Sequence, residues 1–245
     1  MDLTGFLPRR ALPFAAVLMT ATGLSGCFDL AQKVAVHSNG SGSYAVEVAA
    51  SGLIGEGLDK KHGDIDIGDE RAVTHTVRKG DTTIETSEVA FNDLSDLKLN
   101  DERIDMHVKG KDADGATEVN FHRSFQIEHA RHRRNDDDDK MGRSVLESMF
   151  GGHTYKFAVW LPGKIEHIAP LQVAGQTVHP TVWGDRYGHT IVWQMKLTDM
   201  FLSKQMDFDV DFAAKGDFRD GHSMPGKSHH LYRHRDRDDD DGDDD

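Results

Sequence analysis

What most restricts the fold of this chain is a period-two alternation of apolar and polar side chains, repeated in short runs broken by glycine, asparagine, aspartate or proline. Such runs form half-buried strands, and turn formers between them join neighbours into hairpins. Residues 34–37 and 43–48 flank Ser38-Asn39-Gly40-Ser41-Gly42, where Asn-Gly tolerates the positive φ of a tight turn. Residues 72–77 and 82–89 flank Lys79-Gly80-Asp81, and residues 104–108 and 117–127 flank a turn-rich stretch, 109–115. Five further runs follow at 155–161, 167–173, 178–183, 190–197 and 206–212. Helical spacing is weaker: Phe91, Leu94, Leu97 and Leu99 behind the potential cap Asn92, a mixed segment at 52–69, and a short helix at 144–150. The pattern predicts an α+β fold, predominantly antiparallel β-sheet with a few short helices on one face, followed by a disordered acidic C-terminal tail.

The N-terminus reads as an export signal. Arg9 and Arg10 precede an apolar run from 11 to about 22, too short to be a comfortable permanent span, and Leu24-Ser25-Gly26 lead to Cys27, the single cysteine. A lone thiol makes no internal disulfide. Leu24-Ser25-Gly26-Cys27 resembles the lipobox of bacterial lipoproteins, in which small residues admit the peptidase and the thiol receives a diacylglyceryl group. Two or three fatty chains, palmitate among them, make attachment to a membrane stable. Cys27 is then an anchor and not a nucleophile. The competing reading is an ordinary signal peptide or uncleaved anchor with an incidental cysteine. Phe28 in the place after the cysteine, where aspartate would retain a lipoprotein at the inner membrane, favours the outer membrane if the envelope is Gram-negative. Pro8 and Ala11 match a twin-arginine signal poorly.

The expected organisation is a signal peptide (1–26), a lipidated N-terminus and linker (27–33), one α+β domain (34–214) and a disordered His/Asp-rich tail (215–245). Residues 129–143 place five basic or histidine side chains before Asp136 to Asp139 and Lys140, and read as an exposed loop. The tail ends in an almost unbroken aspartate run that cannot bury a core. The net charge of −13, concentrated there, repels phosphate backbones and argues against nucleic-acid binding.

Beyond the lipobox and the Asn-Gly-Ser-Gly hairpin, the chain carries Phe157-Ala158-Val159-Trp160-Leu161-Pro162-Gly163-Lys164-Ile165 and Thr190-Ile191-Val192-Trp193. In these it resembles the LppM-like domain of bacterial lipoproteins, over about residues 29–212. The resemblance implies a membrane-tethered α+β domain that binds or carries envelope lipid or glycolipid, with no catalytic residues. It also implies a membrane helix after the domain, and here the chain departs: residues 201–245 hold no run of about 20 apolar residues.

The 15 histidines raise a second chemistry. In the tail His222, His229, His230 and His234 stand near Asp236, Asp238 and Asp240, offering nitrogen and oxygen ligands for weak divalent-cation binding. The aspartates precede Gly242 without the spacing or closing Glu of an EF-hand loop. His129 and His132 match neither zinc-protease motif, and the arginines among them repel a cation. A basic cluster of that kind could instead meet anionic head groups. No nucleophile elbow, Cys/His pair or Walker loop occurs. The expected protein is therefore a non-enzymatic envelope lipoprotein without cofactor that binds lipid, glycolipid or a protein partner. The alternative is a metal-binding or scaffold lipoprotein acting through its His/Asp tail.

Overall fold

Each alternating run finds a partner that shares its register. In the computed structural model the described residues are 28–51, 65, 67–100, 102–126, 143–148 and 150–226. The predicted first hairpin is β1 (Phe28–Val36) against β2 (Gly42–Ser51), with Gly40 at φ 79° in the turn. β3 (Val73–Lys79) pairs with β4 (Thr82–Phe91), and β6 (Glu102–Lys111) with β7 (Thr117–Gln126), both antiparallel. β8 (Thr154–Pro162) pairs with β13 (Gly188–Lys196), and β14 (Gln205–Ala214) with β7.

Several expectations are corrected. Of the linker expected at 27–33, the described residues, 28–33, belong to β1, which begins at Phe28. The helix expected behind Asn92 is a single 3-10 turn, Leu94–Asp96, capped by Asp93 in a reciprocal box with Asp96, before the short strand β5 (Lys98–Leu99). Two runs read as continuous strands are split by proline, which supplies no ladder donor. Pro170 separates β9 (Lys164–Ile168) from β10 (Leu171–Val173), and Pro180 separates β11 (Gln176–Val178) from β12 (Thr181–Asp185). The mixed segment at 52–69 lies mostly outside the described residues, and so does the expected loop except Arg143, which opens the helix α1 (143–148). A second helix, α2 (Leu197–Leu202), buries Leu197 and Met200 against the sheet.

The first part of the segment expected as tail is folded. Residues 215–226 pack onto the domain: β15 (Gly221–His222) pairs with β6, β16 (Met224–Pro225) runs parallel to β5, and Phe218 and Ser223 are buried. Ser223 both donates to Ile104 O through its backbone and accepts from Ile104 N at its hydroxyl. Averaging over a charged tail hides Phe218, whose ring packs edge-on to Phe212 at 5.5 Å.

The main sheets are a seven-stranded one, ordered β12-β13-β8-β1-β2-β4-β3, and a five-stranded one, ordered β15-β6-β7-β14-β9. The fold is thus mostly sheet with few short helices, and not wholly antiparallel: β1 and β8 run parallel, Leu30 beside Tyr155 and Ala35 beside Trp160. The two sheets share one core. Phe157 of β8 and Trp193 of β13 meet Phe208 of β14 at ring distances of 4.5 and 5.2 Å. Among the described residues no helix is long and apolar enough to cross a membrane.

Candidate functional site

Two places concentrate polar chemistry, one closed and one open. The closed one lies between the sheets, where alternation sends five polar side chains inward. Arg123 occupies an inward position of β7 between Phe121 and Phe125, and it is fully buried. Its Nε donates to Glu102 Oε2 at 2.6 Å, its Nη1 to the Tyr155 hydroxyl at 2.9 Å, and its Nη2 to Gln32 Oε1. Tyr155 donates to the same Gln32 oxygen at 2.5 Å, Tyr44 donates to Glu102, and the Gln32 amide donates to the Tyr44 oxygen at 3.1 Å. The guanidinium also stands 4.2 Å from the Phe157 ring centroid and 5.1 Å from that of Phe208. Burial pushes the Tyr155 hydroxyl up to about 12 against the pull of Arg123, and pushes Tyr44 well above its ordinary range with the help of Glu102. Burial alone would lower Arg123, but Glu102 and the two tyrosines hold it above its usual value. The cluster matches its own charges and donors, and Phe121, Phe157, Trp193 and Phe208 fill the space beside it.

The open place is a cleft of about 590 Å³ at one end of the two sheets. Its walls come from the β1–β2 turn (His37, Ser38), the end of β8 (Trp160, Pro162), the β12–β13 turn (Asp185, Arg186, Tyr187) and the end of β14 (Ala213, Ala214), with Lys164 and Lys215 at the rim. Gly163 carries the chain from the seven-stranded to the five-stranded sheet at φ 76°, where a Cβ would come within 2.3 Å of Ala213 O. Its backbone is clamped: Gly163 N donates to Tyr187 O at 3.1 Å, and its carbonyl lies 2.8 Å from His189 Nδ1. Gly188 leaves room for Trp160, since a Cβ there would meet the indole at 2.6 Å. Arg186 lies 4.8 Å from the Tyr187 ring centroid and donates to its hydroxyl at 2.6 Å. Tyr187 is 65% exposed, and the His37 ring stands 5.8 Å from that of Trp160. Lys164, Arg186 and Lys215 face a single carboxylate, Asp185, so this cleft carries a local positive excess in an acidic chain. Flat aromatic surfaces beside cations suit a ligand with apolar ring faces and negative charge. A smaller recess of about 150 Å³ is lined mainly by polar residues, Asn39, Asn92, Asp93, Asp217 and Arg219, with Leu94 and Met106.

Among the residues expected from sequence, Leu24, Ser25, Gly26 and Cys27 lie outside the described residues, as do His229, His230, His234, Asp236, Asp238 and Asp240. His222 does not stand in a free tail: it is an exposed residue of β15, directly opposite Asp105. Among the described residues no three His, Cys, Asp or Glu side chains are grouped to hold a metal ion. Sequence reading missed the Arg123 cluster, although a charged residue in the apolar register of β7 was its visible signal. It also missed the cleft, whose walls come from turns and strand ends far apart in the chain.

No protein-family model matches the sequence, and no curated protein does. Among solved structures, the chain is similar to the folded domain of the Mycobacterium tuberculosis LppM protein, determined by NMR. The match covers 81% of this chain and 99% of that one, at a TM-score of 0.38 and 9% identity. At that distance the likeness carries no function across.

Proposed function

We propose that this protein is an envelope lipoprotein, anchored through Cys27, whose domain is a non-enzymatic binding module for an anionic, saccharide-bearing envelope component such as a glycolipid head group. The observation that carries the reading is the end cleft, where the Trp160 and Tyr187 rings stand beside Lys164, Arg186 and Lys215. The packed interior directs the ligand to this rim and away from a lipid channel between the sheets. The β1 strand sets the height of the cleft. Eight steps of about 3.3 Å separate Phe28, next to the anchor, from Val36, next to His37, so the cleft stands roughly 26 Å from the anchored end. The ligand is therefore received from the side facing away from the protein's own membrane.

The test uses the full chain released from the membrane by Cys27→Ser, titrated with a lipopolysaccharide carrying phosphorylated sugars and with a neutral glycan of similar size. Binding of the first and not the second, weakened by Lys164→Glu with Lys215→Glu, is the expected result. Unchanged binding in that double variant overturns the cleft as the site. The metal reading of the tail is tested separately by truncation after Gly226, since cutting earlier removes β15 and β16. Equal zinc uptake by the intact and truncated chains would remove the tail from consideration.

A further inference from the structure

The end of the domain opposite the cleft carries its own chemistry. β1 starts at Phe28, in the residue position immediately after Cys27, and Phe28 N donates to His153 Nδ1 at 3.2 Å. The strand is therefore fixed to the domain from its first residue, with no spacer between the sheet and the cysteine. Around that point three aromatic rings from separate segments gather: Phe28 and Phe150 at 6.2 Å, Phe150 and Phe201 at 5.1 Å. All three are only partly buried, with one side packed against the core, and Val145, five residues before Phe150 in the same helical segment, is 50% exposed. Exposed Arg143, Lys196 and Lys204 stand at the start of α1 and on either side of α2, with Glu147 on α1 and Asp199 on α2 among them, so the rings and not a charge excess mark this end.

We infer that this aromatic base, formed by Phe28, Phe150 and Phe201 with Val145, is a membrane-docking surface that rests in the head-group region of the bilayer holding the Cys27 acyl chains. The inference depends on the lipid-anchor reading above. A single residue spans at most about 3.8 Å between Cα atoms, so an acyl chain on Cys27 holds Phe28 at the lipid surface, and the ring cluster goes there with it. Aromatic rings are favoured at that depth, and lysine and arginine beside them reach anionic head groups while their stems lie along apolar surface. Docking at this base orients the domain, with the β1 strand directed away from the membrane and the end cleft outermost.

The experiment takes the full chain, expressed with its own leader in a bacterial host and reconstituted into phosphatidylethanolamine/phosphatidylglycerol vesicles whose acyl chains are brominated. Intact-mass measurement first establishes acylation. Phe201→Trp and Val145→Trp then place an indole at the base. The wild-type protein, whose three tryptophans are at 160, 183 and 193, supplies the baseline. Added fluorescence in both variants that is quenched several-fold more strongly than the wild-type signal, at a depth of roughly 5–10 Å into the head-group and acyl boundary, is expected. Val145 is half exposed and its replacement needs no repacking, so the test survives a folding defect in Phe201→Trp. An acylated protein in which the added indole of Val145→Trp is quenched no more than the wild-type tryptophans overturns the docking surface and leaves the anchor reading standing. A protein without acylation overturns the anchor, and the docking surface with it.

Discussion

The Arg123 cluster and the end cleft are built from similar residue types and have opposite consequences. In the cluster a guanidinium, a carboxylate, two phenols and an amide lie inside the core, and each reaches a partner within the set. In the cleft the lysines stand at the rim in water, and the rings of Trp160 and Tyr187 remain partly or largely exposed. A matched polar group in a dry interior defines which strands can sit opposite which, because any other register leaves a charge unpaired. A cation left in water costs little and remains available to a ligand. The same chemistry therefore fixes the fold in one place and, in the function proposed above, serves recognition in the other.

The largest test of that contrast is Arg123→Ala, which strands the Glu102 carboxylate and is expected to cost about 3–5 kcal/mol, read as a fall in urea midpoint. Arg123→Met with Glu102→Leu is expected to recover most of that loss. If the double variant is no better than the single one, the pair contributes more than charge balance. Next comes an alkaline test. A folded Tyr155 at about 12, above its unfolded value near 10, contributes stability that is present below pH 10 and lost as pH rises from 10 to 12. The loss is about 2–3 kcal/mol, and Tyr155→Phe should flatten that part of the pH profile. A smaller effect crosses the boundary between the two regions. Gly188→Ala pushes a methyl against Trp160 and is expected to cost about 1–3 kcal/mol while also weakening ligand binding. Smallest in stability are Lys164→Glu and Lys215→Glu, each within about 0.5 kcal/mol of wild type. Their expected effect is on affinity, of the order of tenfold each, or about 1.4 kcal/mol. A large stability loss in either would mean that the rim also holds the fold.

Much of the sheet was legible because hairpin partners are neighbours in sequence. Asn39-Gly40, Gly80 and the 109–115 turn announced three antiparallel pairs, and all three form. What the alternation could not reveal was pairing between distant runs. Nothing in Leu30 or Tyr155 says that β1 and β8 lie side by side and parallel. Prolines 170 and 180 are visible in the sequence, but the β-forming residues on either side mask the breaks they impose. The cluster was legible in part, since Arg123 falls where the β7 pattern calls for an apolar side chain. The cleft was not, because Trp160, Tyr187 and Lys215 share no periodicity and meet only after both sheets have formed.

The β1–β8 pairing has a consequence in time as well as in space. For a chain threaded across a membrane from its N-terminus, β1 emerges first, yet the residue beside Leu30 is Tyr155, 155 − 30 = 125 positions later. Contacts of such long range are slow to close, since a large loop must be ordered before they give anything back. Until β8 arrives, β3, β4, β2 and β1 can pair in that order, and β1 is left as an open edge whose outward backbone groups have no partner. On the proposed export route, that edge stays open until more than half of the chain has crossed.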